Sequence, residues 1–221
     1  MTETIHDFDM DTIDHFLTEG PRDPNIFKVI FTAGIPGSGK TTVVKQLTSH
    51  TGMKLTSFDT FHEYFLKRGR ETDKDVLYKS RILAYKQLDL YVEGRLGLII
   101  DRTSWNYQKI RDIKKELEDL GYESCMVFVN TDVNVAKRRI EKRFKETGRN
   151  VSNDHVEKVT KQLQLNIGAY QRDFRDNFIV VDNTNDAELE TNIKFAQKKV
   201  DAFLSKPVRN RAALDWLASH R

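Results

Sequence analysis

The run Gly34-Ile35-Pro36-Gly37-Ser38-Gly39-Lys40-Thr41-Thr42 constrains this chain more than any other stretch. It matches the phosphate loop G-x-x-x-x-G-K-[ST] at every fixed position. Ile26 to Thr32 before it is an apolar, β-branched run of strand length, and Thr41 to Thr48 after it spaces Val43, Val44 and Leu47 as a helix does. Gly34, Gly37 and Gly39 lack a Cβ, so the backbone can curl with its N–H groups inward and approach a polyphosphate closely. The start of the following helix adds unpaired N–H groups and the positive end of its dipole. In this pattern Gly34 to Thr42 contact the nucleotide, Lys40 reaches the β and γ phosphates, and the Thr41 hydroxyl ligates Mg²⁺. The cofactors expected are therefore ATP and Mg²⁺.

Around the loop, 221 residues with 38% hydrophobic content suffice for one full-sized α/β domain but not for a second independent core. The domain is expected over 26–205, preceded by an acidic extension, 1–25, with a short apolar stripe of Ile13, Phe16 and Leu17. It is followed by a basic amphipathic segment, 206–221, containing Leu214, Trp216 and Leu217, which either packs on the body or meets a partner. The net charge of +3 permits nucleic acid as a partner without requiring it. Cys125 is the single cysteine and sits in an apolar run, which excludes an internal disulfide and reads as a small core residue. With no secretory h-region and no run of 18 apolar residues, the chain is expected to be soluble and cytoplasmic.

Two acids fall at expected strand ends. Lys54 to Phe58 reads as a second strand that delivers Asp59 at its carboxyl end, the side of a parallel sheet where ligands collect. An aspartate there can take the proton of an acceptor hydroxyl and orient its oxygen; its other reading is an N-cap for the helix beginning at Thr60. His62, one turn on, is a candidate substrate contact. Gly97 to Asp101 is an apolar strand ending in an acid, so Asp101 is expected to hold Mg²⁺ opposite Thr41, or else to cap the next turn. Arg102, in the polar turn to Asn106, lies where it can touch the acceptor. Between these strands a helix is expected from Asp73 to Glu93, with Val76, Leu83, Leu88 and Tyr91 on one face and a solvated basic side that includes Arg81.

A fourth strand over Glu123–Asn130 leads into Thr131–Arg149, where arginines crowd the polar face of a helix. Basic helices of this kind close over a transferring phosphate in many phosphate-loop kinases, although a charge run is also simply a solvated face. Arg139 and Arg143 are the candidates for catalysis, Arg138 for the cofactor and Arg149 for the substrate. A helix capped by Ser152, a fifth strand over Asn177–Val181 and a final layer helix complete an alternation of strands and helices. The class is a doubly wound α/β fold, a five-stranded parallel sheet with helices on both faces. No N-K-x-D guanine signature is present, and the chain after the fifth strand is too short for the lid domain of an AAA-type motor.

The phosphate loop, Ser57-Phe58-Asp59-Thr60-Phe61-His62, Ile99-Ile100-Asp101-Arg102-Thr103-Ser104 and the arginine-rich helix together resemble the kinase domain of phage-type polynucleotide kinases and the related zeta-toxin kinases, over roughly residues 26 to 182. The resemblance implies that Asp59 matches the catalytic base, Lys40 and Thr41 the phosphate and Mg²⁺ ligands, and Asp101 the strand-end acid. His62 stands where polynucleotide kinases tend to carry a phosphate-binding arginine, and Ser104 where they carry asparagine. The expected activity is transfer of the γ-phosphate of ATP to a hydroxyl of a nucleic acid, either a polynucleotide 5′-hydroxyl or a hydroxymethylated base in phage-type DNA. Two alternatives stand beside it. Thr147 to Val151 is similar to the lid loop of zeta toxins, which phosphorylate nucleotide sugars; and a non-catalytic ATP-binding switch would order Arg138–Arg149 and present Trp216 to a partner.

Overall fold

A computed structural model of the protein describes residues 23–66, 75–148 and 151–220. Its sheet has five parallel strands, β1 (Lys28–Ala33), β2 (Lys54–Thr56), β3 (Leu98–Ile100), β4 (Glu123–Asn130) and β5 (Phe178–Asp182), in the order β2-β3-β1-β4-β5. The described helices are α1 (Lys40–Thr48), α2 (Phe58–Leu66), α3 (Val76–Glu93), α4 (Tyr107–Asp119), α5 (Val133–Thr147), α6 (Asn153–Phe174), α7 (Asp186–Leu204) and α8 (Arg211–Ser219). The expected doubly wound sheet is the observed one.

All six residues of β1 are buried, because helices cover both faces of a parallel sheet and its central strand meets no water. Alternation along the strand splits its side chains between two cores. Val29, Phe31 and Ala33 pack with Ile110 and Leu117 of α4 and Val159 and Leu163 of α6. Ile30 packs with Val43, Val44 and Leu47 of α1 and Ala196, Val200 and Phe203 of α7. Register then sets the site: Phe31 pairs with Ile100, so the residue after β3, Asp101, lies beside Thr32, while β4 runs past the end of β1 toward Asn130.

Helix starts carry a second piece of information. Asn106, Asp132, Ser152, Asn185 and Asn210 each cap the helix that follows by accepting a backbone N–H, an arrangement that contributes about 1 kcal/mol apiece. Helix α1 starts at Gly39 with no side-chain cap. Helix α3 likewise has no side-chain cap, at Asp75; at α1 the uncapped start coincides with the phosphate loop, where free N–H groups suit an anion.

Several expectations need correction. The second strand stops at Thr56, not Phe58; the Asp59 N–H bonds to Ser57 Oγ at 3.2 Å, so Ser57 takes the capping role and Asp59 rides in the first turn of α2. Leu83, assigned to the packing face of α3, is 37% exposed, while Val76 and Ser80 are buried. Trp216 meets the Phe27 ring edge-on at 5.5 Å, and Ala213 is fully buried against Gly121, where a Cβ would come 2.7 Å from Ala213. The last helix therefore packs on the body, and Trp216 is not held out for a partner. The apolar stripe of the acidic arm lies outside the described residues.

Candidate active site

The turn after β1 is built so that only glycine fits at its bends. Gly37 and Gly39 have φ near +80°, the left-handed region that disfavours a Cβ. A methyl group at Gly37 would lie 2.4 Å from the Ala136 carbonyl oxygen, and one at Gly39 2.4 Å from Asn183 Nδ2. The loop is held from behind: Ser38 O accepts from Asn183 Nδ2 at 2.8 Å and from Thr131 Oγ1 at 3.2 Å, and Gly34 N–H donates to Thr103 O. Lys40 is buried, with Nζ donating to Ile35 O at 2.9 Å, which folds its ammonium over the loop.

Beside the loop, Thr41 Oγ1 lies 2.5 Å from Asp101 Oδ2, and Thr32 Oγ1 donates to Asp101 Oδ1 at 2.8 Å while accepting from the Arg102 N–H. A hydroxyl and a carboxylate oxygen side by side are hard donors of the kind Mg²⁺ takes. Among the described residues no group of three acidic, histidine or cysteine side chains could hold a metal by itself. Thr41 and Asp101 thus suit an ion that arrives with most of its ligands already supplied by phosphates and water.

A cleft of about 750 Å³ opens over this corner. Gly37, Gly39, Lys40, Thr41 and Thr42 line one side, and Asp59 and Arg102 line it as well, so the acid of α2 shares one cavity with the phosphate loop. Arg139 and Arg143 enter from α5, being four residues apart on one helical face. Arg138, one position earlier, is exposed and does not line the cleft, because a step of one residue turns the side chain about 100° around the helix. Arg139 also donates to Asn183 O, Asn183 Oδ1 and Asp186 Oδ1, bridging α5 to the loop after β5. His62 stacks on Phe58, ring centroids 5.4 Å apart, and is not among the cleft-lining residues. Ile35 is buried in the core and Pro36 and Ser38 complete the turn. Arg149 lies outside the described residues.

The structure brings in residues that the sequence did not single out. Arg81 of α3, on the basic side expected to be merely solvated, lines the cleft together with Tyr85 of the same helix and Lys109 of α4. The Tyr85 hydroxyl accepts from Lys109 Nζ at 2.8 Å and Arg102 Nη1 at 3.4 Å. Burial raises the pKa of this phenol, but hydrogen bonds from Lys109 and Arg102 and their positive charges outweigh it, leaving a net lowering. Asn183, in the polar loop after the fifth strand that commonly lies beside the adenine in such folds, is buried behind the phosphate loop, a contact with Ser38 that no spacing in the chain reveals. Ser104 has φ +54°, and its hydroxyl donates to Thr32 O while its carbonyl accepts from the Tyr170 hydroxyl, anchoring the cleft floor to α6. Among the described residues no helix is long and apolar enough to cross a membrane.

Against known proteins, the family model described as zeta toxin matches residues 14–193. The fold is similar to that of the PezAT toxin–antitoxin system of Streptococcus pneumoniae, with a TM-score of 0.55 at 16% identity over 87% of this chain and 94% of that one. Deoxyadenosine kinase from M. mycoides aligns with a TM-score of 0.50 at 19% identity, over 79% of this chain and 99% of that one. A chain of the Pnkp1/Rnl/Hen1 RNA repair complex aligns with a TM-score of 0.53 at 19% identity, over 64% of this chain and 45% of that one.

Proposed function

The chain belongs to the zeta toxin family and is a phosphate-loop kinase that uses ATP and Mg²⁺, and from that premise we propose that it phosphorylates a hydroxyl of a nucleic acid. The observation that carries this reading is the single cleft in which Asp59 faces the same space as Lys40, Thr41 and Asp101, with Arg81, Arg102 and Lys109 on its walls. When bound, ATP supplies the phosphoryl group and Mg²⁺ offsets its charge.

The chain's own residues do the rest. The loop amides and Lys40 fix the polyphosphate, and Thr41 and Asp101 offer their oxygens to the metal. Asp59 takes the proton of the acceptor hydroxyl as its oxygen bonds to the γ-phosphorus and the bond to the β-phosphate oxygen breaks, releasing ADP. Arg139 and Arg143 offset the charge gathering on the transferred group. Cations along the cleft fit the phosphates that flank a polynucleotide hydroxyl.

The second reading, a nucleotide sugar as acceptor, is favoured by the family match itself. A transfer assay with γ-labelled ATP discriminates between them, using 5′-hydroxyl DNA and RNA, hydroxymethylpyrimidine duplex DNA and UDP-sugars as acceptors. Label is expected on a nucleic acid. Asp59→Asn should lower the rate of transfer by about 10²-fold or more while ATP still binds. Label on UDP-sugars alone overturns the nucleic-acid reading, and Asp59→Asn with full activity overturns the role of the aspartate.

A further inference from the structure

A second recess, of about 930 Å³, lies at the far end of the sheet from the cleft. Glu123, the first residue of β4, lines it, whereas Thr131, just past the last, bonds to the phosphate loop. The eight residues of that strand put about 25 Å between the two sites. No step of phosphoryl transfer in the cleft uses this end of the molecule.

The charges of the recess are unevenly settled. Lys114 is paired with Glu118, Lys115 with Asp119, and Lys206 donates to Asn177 Oδ1. The acids are engaged too: Glu118 also accepts from Ser124, Glu123 is paired with Lys28, and Asp173 accepts from the Tyr107 hydroxyl. The guanidinium groups of Arg111, Arg172, Arg175 and Arg209 meet no hydrogen-bond or ion-pair partner among the described residues. Asp176 is the one lining acid left to set against these four.

A basic residue near a helix C-terminus is ordinarily explained by the helix dipole, and that reading covers Arg172 in the last turn of α6. It does not cover Arg111, in the first half of α4, or Arg209, in the connector between α7 and α8. Arg175 is the most telling of the four. It ends α6 with φ +48° and ψ −123°, in the left-handed half of backbone space, at a position where glycine would be relaxed. The chain holds a strained arginine there although its guanidinium bonds to nothing in the fold, and strain of that kind collects where a side chain serves a ligand.

The lining narrows the ligand. Guanidinium forks match the oxygens of phosphate. The aromatic rings of the recess, Tyr122 and Phe174, are 1% and 4% exposed, so no ring face is offered for the base stacking by which single strands are held. A duplex, with its bases paired inside and its phosphates outside, needs none.

We propose that this recess binds the phosphate backbone of duplex nucleic acid without reading its sequence. The site goes beyond the kinase reading and stands whichever acceptor the cleft takes.

A covalently closed dumbbell duplex of unmodified DNA, which offers the cleft neither a 5′ end nor a hydroxymethylated base, is titrated with the full chain by fluorescence anisotropy between about 50 and 200 mM salt. The logarithm of the binding constant should fall against the logarithm of salt concentration with a slope of about −3 to −4, one phosphate for each arginine. Arg111→Gln and Arg209→Gln should each weaken binding at every salt concentration and reduce that slope by about 1. Arg175→Gly should do the same while raising the urea midpoint, an opposite movement of binding and stability that a merely structural arginine would not produce. All three variants should bind ATP as the parent chain does. An unchanged slope in Arg111→Gln and Arg209→Gln overturns the proposal, as does polyglutamate binding as tightly as the dumbbell, which would assign the recess to an acidic polypeptide. Arginine-dependent binding of the dumbbell by a chain that transfers no phosphate sustains the proposal and counts against the kinase reading alone.

Discussion

Gly37 and Gly39 share almost the same backbone angle, φ +80° and +81°, yet alanine at the two positions meets different obstacles. The left-handed strain, about 1–2 kcal/mol for a residue with a Cβ, is common to both and cancels in the comparison. At Gly37 the new methyl would lie 2.4 Å from the main-chain oxygen of Ala136 and 2.9 Å from Ile140, so α5 itself must give way, an overpacking cost of about 1–3 kcal/mol. At Gly39 it meets only Asn183 Nδ2. That side chain can swing aside, surrendering its bond to Ser38 O and the one it accepts from Arg139, a loss of about 1–2 kcal/mol.

Asn183→Ala removes the same side chain. The Gly39→Ala, Asn183→Ala double variant should therefore be less destabilised than the sum of the two singles, by about 1–2 kcal/mol. Gly37→Ala with Asn183→Ala should show little such relief, because its obstacle is main chain. Urea unfolding of all five variants, with m held constant across the set, measures these terms. Strict additivity of Gly39→Ala with Asn183→Ala would refute the claim that Asn183 is what excludes a side chain from position 39.

Three further outcomes follow from particular contacts. The Tyr85 phenol should ionise below its ordinary value of 10 in a 295 nm titration, and Lys109→Met should move it upward. Because its folded pKa is the lower one, its linkage stabilises the fold above the unfolded pKa, near 10, and fades as pH falls through the folded value, so neutral-pH stability is unaffected. Lys28 is 2% exposed and paired with Glu123, its ammonium 5.1 Å from the centre of the Phe203 ring. Glu123→Gln strands that buried cation and should cost about 3 kcal/mol in chemical denaturation, more than Lys28→Met, whose leftover carboxylate reaches water. Burial pushes the Cys125 thiol up from 9 to about 12, so a thiol reagent at pH 8 should label the protein only as fast as it unfolds.

What the sequence determined by itself was whatever depends on neighbours in the chain. The phosphate loop is one unbroken run, and its three glycines, its lysine and its threonine could be read because turn and helix conformation are local. Strand count and parallel topology were equally legible, since a sheet covered on both faces leaves continuous apolar runs such as Val29–Phe31 and Cys125–Val129. Asp101 was visible as the acid after one of these runs. Asp59 was visible too, although its place on a helix was not, because β2 is an edge strand of three residues and too short to show a period.

Only the tertiary structure decided which sides of the helices face the cleft. Arg139 and Arg143 were separated from Arg138 by the rotation of α5 against the sheet, and Arg81 moved from an assumed solvent face into the wall beside Asp59. Tyr85, Arg102 and Lys109 come from two helices and a strand end, and Asn183 reaches Ser38 across 145 residues of chain. No periodicity encodes such meetings. They depend on where helices settle when their apolar stripes are buried, a property of the whole packed core and of no single segment.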